Sequence, residues 1–277
     1  MYLYLICIII CIIIAVIFGC YMLTLNRESF TGGTLDNIYG HGCPYNPYTK
    51  EFDCLLRKWH QISKEEDIPY SISYGSYLGW VRHRDYIPYD MDMDVHIGIE
   101  SVAKLMRLSR YDWCCKPQEL STYPLQIGVP RLLVNPYHNY PLNNGARPRF
   151  NCDGKEVSEH TDNCAFNGPI ARLMYLNKKG HRLHLDVFVY HMETDRRVRH
   201  MLENRGYAAM FYGPYAAYIT SKHGSGLPPV KDCTLHGIPT MCFSDAGHFL
   251  ESRYGPHYLK PDKMWNPSSG EFRPKGP

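Results

Sequence analysis

Little separates the two signs of charge in this sequence. Across 277 residues, 30 lysines and arginines stand against 27 aspartates and glutamates, a formal net charge of +3. The basic residues are scattered rather than clustered, which excludes nucleic acid as a partner. No Asn-X-Ser/Thr sequon is present, because Asn266 is followed by Pro267, so glycosylation says nothing about sidedness. No internal repeat divides the chain, which excludes stacked-repeat architectures. Charge is missing altogether from residues 2–25, YLYLICIIICIIIAVIFGCYMLTL.

An uncharged run of that length suits one bilayer-spanning helix, which needs about 20 residues. A cleaved signal has a shorter apolar stretch of roughly 7–15 residues, although Gly19 and Cys20 offer a cleavage point. The expectation is an uncleaved signal anchor over residues 1–25. No Lys or Arg precedes the run and Arg27 follows it, so flanking charge favours a cytosolic body. Cysteine usage argues for the other side. Eight cysteines lie beyond the anchor: Cys43, Cys54, Cys114, Cys115, Cys152, Cys164, Cys233 and Cys242. The even count, with 152/164 and 233/242 bracketing short polar loops, suits an oxidising compartment. Cys152, His160 and Cys164 with Asp153 offer a zinc set, but in such a compartment a disulfide is the stronger reading. Adjacent Cys114 and Cys115 cannot pair with each other without strain. A lumenal body on one N-terminal anchor is therefore expected.

Residues 26–48 carry Gly, Asn and Pro and read as a stem. Beyond the anchor lie about 250 residues, enough to bury a good core as one domain. Phe52, Leu55, Leu56, Trp59 and Ile62 recur at helical spacing, with Glu51 and Asp53 in the first turn. IPYSISY (68–74) alternates as a strand, and YLGWVRHR (77–84) reads as a short helix. A turn around Asp85 to Pro88 leads into IPYDMDMDVHIG (87–98). There Asp90, Asp92 and Asp94 alternate with Met91, Met93, Val95 and Ile97, the period of a half-buried strand. Ser101 caps a short helix bearing Val102, Leu105, Met106 and Leu108. Brief strands are expected at 125–129 and 131–134. RLMYLN (172–177) and RLHLDVFVY (182–190) read as a β-hairpin about Lys178-Lys179-Gly180. Arg196, Arg197 and Arg199 form a short charge run, which is usually a solvated face. The 23 tyrosines suit core and rim packing before sugar stacking. From Asn266 the tail reads as disordered. The fold class expected is α/β (α+β), with a mixed central sheet and flanking helices.

Three like charges on one strand face need something positive between them. Gly75 lets a backbone approach a phosphate closely, and Ser76 adds a hydroxyl and an N–H near a helix start, where anions bind. Magnesium prefers oxygen ligands, taking one or two carboxylates plus substrate phosphates. A Gly-Ser cradle beside an Asp-X-Asp strand therefore suggests metal-dependent phosphoryl transfer. Asp186 interrupts the apolar run of the later strand, and a charge there must coordinate metal or pair with one of the nearby arginines. His83 is either a phosphate contact or a packing residue.

In this order the signals resemble the nucleotidyltransferase superfamily. YGSYLGWVRHRDYIPYDMDMDV narrows the resemblance to the LicD and fukutin group, through Gly75, Ser76, Leu78, Gly79, Arg82, His83, Ile87, Pro88, Tyr89, Asp90, Asp92 and Asp94. HLDVFVY resembles the group's later acidic strand, and ESRYGPHYLKPDKMW (251–265) its terminal signature. Met91 and Tyr89 depart from bacterial members without removing a candidate ligand, and residues 111–169 match nothing in the group. The resemblance implies a nucleotidyltransferase-like domain over residues 49–265, with 266–277 as tail. It implies transfer of a phospho-alcohol, such as ribitol phosphate or phosphocholine, from a CDP-activated donor to a glycan hydroxyl. It also implies a single-pass Golgi or ER protein. On that resemblance Asp92, Asp94 and Asp186 hold magnesium or manganese, and Gly75, Ser76, Arg82 and His83 meet donor phosphate. Asp90 orients water or accepts the acceptor proton. The superfamily spacing favours Asp90 and Asp92 as ligands, the family alignment Asp92 and Asp94. A Golgi glycosyltransferase holding a nucleotide sugar through Asp-X-Asp, and a non-catalytic scaffold, are the alternatives.

Overall fold

The computed structural model describes residues 34–108, 125–134, 169–190 and 227–275, with the backbone of four two-residue strands between 111 and 157. The expected anchor (1–25), Cys114, Cys115, the Cys152–His160–Cys164 set and Arg196, Arg197 and Arg199 lie outside the described residues. No described helix is long and apolar enough to cross a membrane.

The chain enters through α1 (Leu35–Tyr39) and then α2 (Thr49–Glu65). Phe52, Leu55, Leu56, Trp59 and Ile62 of α2 are fully buried, because their spacing places them along one stripe. Next come β1 (Tyr70–Ile72), α3 (Tyr74–His83), β2 (Met93–Gly98) and α4 (Val102–Leu108), the last preceded by a 3-10 turn at Ile99–Ser101. Two short pairs follow, β3 (Tyr111–Asp112) with β4 (Lys116–Pro117), and, after β5 (Arg131–Val134), β6 (Arg149–Phe150) with β7 (Glu156–Val157). Then come β8 (Ala171–Leu176), β9 (Arg182–Tyr190), β10 (Val230–Leu235), β11 (Ile238–Phe243), α5 (Ala246–Tyr254), β12 (Lys263–Asn266) and β13 (Glu271–Pro274).

The central sheet is mixed, in the order β1-β2-β9-β8-β5, with β2 and β9 parallel and the other pairs antiparallel. The β8–β9 hairpin forms where the two apolar runs predict it, turning through Gly180 at φ +79°. One sheet face carries Tyr70, Ile72, Met93, Val95, Ile97, Leu185, Val187 and Val189, all buried, with Tyr70 against Trp59 of α2. Register puts Asp94 beside Asp186 and His96 beside Phe188 on the opposite face. There His96, Tyr74 and Phe249 of α5 form an aromatic cluster. Thus one face of the sheet packs on α2, and the other carries the Asp94–Asp186 pair beside an aromatic cluster.

Four expectations need correction. The strand at 68–74 contracts to β1, and the helix starts at Tyr74, three residues early, because Tyr77 N already donates to Ser73 O at 3.0 Å. Gly75 and Ser76 consequently lie in the helix's first turn. β2 begins only at Met93, so Asp90 and Asp92 precede the strand and Met91 is 63% exposed. Part of the expected stem is packed domain: Tyr39 and Asn46 are buried, Asn46 because its side chain satisfies main-chain groups of the 87–90 turn. Finally, the tail expected to be disordered forms the β12–β13 hairpin, where Phe272 packs against Trp265, Tyr39 and Tyr89. Cys233 and Cys242 form a disulfide across β10–β11, whereas Cys43 and Cys54 are free.

Candidate active site

Close packing at two glycines sets the path into β2. After α3 the chain folds back on the helix, where a Cβ on Gly79 would lie 2.4 Å from the Asp85 carbonyl oxygen and 3.1 Å from the Ile87 nitrogen. Asn46 Nδ2 donates to the carbonyls of Ile87 (2.8 Å) and Asp90 (2.9 Å), and Asp90 N donates to Ile87 O at 3.1 Å. This turn presses the Asp90 carboxylate onto the start of α3, where a Cβ on Gly75 would meet Asp90 Oδ2 at 2.2 Å. Buried Ser76 accepts a hydrogen bond from Asp94 N through its Oγ (3.1 Å), while Ser73 N donates to Asp94 O (2.9 Å). The first turn of α3 is thereby stitched to the first residues of β2.

Asp90, Asp92, Asp94 and Asp186 are close enough to perturb one another. Burial raises the Asp94 carboxyl well above the usual range, and Asp92, Asp186 and Asp90 push it further. Asp90 is pushed up to about 7 by burial and by Asp92. Asp92 is held below the ordinary range by His184, whose Nε2 lies 3.7 Å from Asp92 Oδ2 and 3.8 Å from Asp186 Oδ2. Arg172, opposite Asp186 in the hairpin register, donates from Nε to Oδ1 (2.5 Å) and from Nη2 to Oδ2 (2.7 Å). Asp186 is thus in a buried bidentate ion pair, the arginine alternative that its place in an apolar strand left open.

Four carboxylates share one arginine and one histidine, so negative charge is in excess. An all-oxygen donor set of this kind fits magnesium or manganese. Among the described residues, no three His, Cys, Asp or Glu side chains converge as a formed metal site. The donor chemistry therefore fits a hard cation, without preset ligand geometry.

A cleft of about 640 Å³ opens beside Asp90 and Asp94. It is lined by Tyr74, Gly75, Leu78 and Arg82 of α3, Phe188 of β9, Arg253 and Tyr254 of α5, and His257, Tyr258, Lys260 and Asp262 after it. Of the residues predicted to meet phosphate, Gly75 and Arg82 line this cleft and Ser76 and His83 do not. Arg82 is buried and directs its fork at main chain, with Nε donating to Tyr258 O (2.8 Å) and Nη2 to Tyr258 O (2.5 Å) and Lys260 O (3.0 Å). His83 Nε2 donates to Tyr86 O (3.1 Å), and its ring packs edge-on against Tyr39.

Sequence reasoning missed Tyr74, Arg172, His184, Phe188, Arg253, His257 and Lys260. Tyr74 starts α3 at φ +44°, a conformation that costs a non-glycine residue about 1 kcal/mol or more, and its ring meets Phe188 at 5.4 Å. Arg172 and His184 carried a usable signal. Each stands on a hairpin strand at a position that shares the Asp186 face, one across the register and one two residues away.

Residues 67–123 match the family model described as LicD/FKTN/FKRP, nucleotidyltransferase domain. The match supports a LicD/fukutin-like segment in this chain. The match takes in β1, α3, the Asp90 turn and β2, well under half of the chain, and stops before Asp186. A comparison with curated proteins gives no match. The match suggests a transferase with a phosphotransferase-like function on glycans.

Proposed function

We propose that the chain transfers a phospho-alcohol, of the ribitol 5-phosphate or phosphocholine type, from a CDP-activated donor to a glycan hydroxyl. The observation that carries this reading is the convergence of Asp90 and Asp94 with Arg253, His257 and Lys260 on one cleft. Such a cleft suits a diphosphate, with cations on its phosphates and carboxylates beside the reacting end. In the reaction the P–O bond to CMP breaks, and a new P–O bond forms to the acceptor oxygen. The hydroxyl proton passes to Asp90, which the contact with Gly75 fixes beside the cleft. Asp92 and Asp94, with Asp186 as third carboxylate, would hold magnesium or manganese. When bound, the ion neutralises charge on the donor diphosphate and on the displaced CMP. Arg172 and His184 orient the carboxylates until then.

The Cys233–Cys242 disulfide supports a body in an oxidising lumen, and the uncharged run at 2–25 supports a single-pass type II anchor in the Golgi or ER. Incubating the full chain with magnesium, a glycan acceptor and either CDP-ribitol, CDP-choline or UDP-sugars tests the activity. The expected result is acceptor-dependent CMP release from a CDP donor, abolished in Asp92→Asn. UDP release with no CMP release would replace this reading by a nucleotide-sugar glycosyltransferase. Rescue of a null phenotype by Asp92→Asn would replace it by a scaffold.

A further inference from the structure

Two residues of the family-matched segment line the cleft but direct their hydrogen bonds to the stretch following α5. Arg82 gives its Nε and Nη2 to the carbonyls of Tyr258 and Lys260. Tyr89, in the turn just before Asp90, donates its hydroxyl to Asp262 Oδ1 at 2.7 Å. Both bonds end on the stretch following α5, within five residues of each other. Within residues 258–262, Leu259, Lys260 and Asp262 are exposed, and none of the five lies in a strand. A buried guanidinium on two carbonyls fixes such a run as a strand partner would, since charge-assisted bonds are the strong ones. Lys263 adds to the same anchorage by lying over the Tyr89 ring at 4.9 Å.

What this anchorage does is place cations. Arg253, His257 and Lys260 are exposed yet line the same cleft as Asp90 and Asp94. Arg253 is further located by the Tyr74 ring, with its Cζ 5.1 Å from the ring centre. These three side chains fall within eight residues, line the same cavity as Asp90 and Asp94, and have no ion pair among the described residues. Basic side chains held open beside carboxylates in one cleft suit a ligand that carries charge itself.

We propose that residues 253–262 form the phosphate-binding wall of the cleft, with Arg253 and Lys260 contacting the diphosphate of a nucleotide-activated donor. Arg82 and Tyr89 are positioning residues, which act by holding that wall. The inference rests on the cleft being a donor site, as proposed above, but not on the identity of the base or of the alcohol.

The test uses the full chain in detergent with magnesium, and measures binding of inorganic diphosphate, CDP and UDP by calorimetry alongside thermal midpoints. Arg253→Met with Lys260→Met is expected to weaken diphosphate and nucleoside-diphosphate binding by about tenfold or more with an unmoved midpoint, as for loss of charge-assisted bonds. Tyr89→Phe keeps the ring and removes only the bond to Asp262. It and Arg82→Lys are expected to raise the KM for donor several-fold more than they lower kcat. A structural role alone would lower the midpoint and scale activity without that split. Undiminished diphosphate binding by the double methionine variant, or no diphosphate binding by the wild type, overturns the inference. Wild-type binding of UDP but not CDP, still lost in the double variant, supports the wall while removing the CDP reading.

Discussion

Gly75 and Gly79 stand four residues apart on α3, and each makes room for a different neighbour. At Gly79 a Cβ would strike main-chain atoms, the Asp85 carbonyl at 2.4 Å and the Ile87 nitrogen at 3.1 Å, which cannot swing aside. Gly79→Ala is therefore expected to cost about 1–3 kcal/mol by overpacking, seen as a lowered thermal midpoint. At Gly75 the Cβ meets only the Asp90 carboxylate, the end of a rotatable side chain. Gly75→Ala is expected to keep or slightly raise the midpoint, because alanine favours helix by about 1 kcal/mol. Its CMP release should nonetheless fall by about a hundredfold, since a displacement of 1 Å at a reacting group costs that much. A fully active Gly75→Ala protein would show that Asp90 is not needed where it lies. The sequence displays the glycine but not which atoms claim its space. Gly75 was expected to admit a phosphate and in the structure admits a carboxylate. Arg82 was expected to bind donor and in the structure binds carbonyls some 176 residues away in sequence, a pairing no local pattern can reveal.

At the scale of elements, legibility followed periodicity. α2 was visible because five apolar residues mark one stripe, and the β8–β9 hairpin because two alternating runs flank a glycine turn. The β12–β13 hairpin was invisible because its second strand, EFRP, holds a single apolar residue. That residue, Phe272, sits 4.9 Å from the Tyr89 ring and 5.1 Å from Trp265, and it also meets Tyr39 of α1. One aromatic side chain thus ties the first described helix, the turn before Asp90 and the β12–β13 hairpin together, without any repeat for a pattern search to find. Ending the chain at Asn266 removes β13 and Phe272, and is expected to cost about 1–3 kcal/mol in urea unfolding from the lost apolar burial. It should also raise the KM for donor, because Tyr89 loses a packing partner beside the wall it anchors. A truncated chain with wild-type midpoint and KM would return residues 267–277 to the status of a tail.

Over the whole molecule, folding concentrates repulsion where chemistry is proposed. The apolar sheet face and α2 supply the stabilising burial, while the opposite face gathers four carboxylates against Arg172 and His184. Such a site is stable only because the rest of the fold tolerates it, and relieving it should strengthen the protein at the expense of activity. Asp94→Asn removes the ionisable group whose charged form is opposed by burial and then by Asp92, Asp186 and Asp90. In the presence of a chelator this variant is expected to melt above the wild type by a few degrees, at about 2–4 °C for each kcal/mol in a domain of this size. Magnesium or manganese should reverse the order by binding only the folded wild type, adding about 3 kcal/mol at a hundredfold excess over its dissociation constant. The variant should show little or no metal-dependent shift and no CMP release. Scanning calorimetry of both proteins, with chelator and with each metal, separates the contributions. If neither metal moves the wild-type midpoint from its chelated value, the carboxylates form an ion network around Arg172, and the proposed metal site is lost with it.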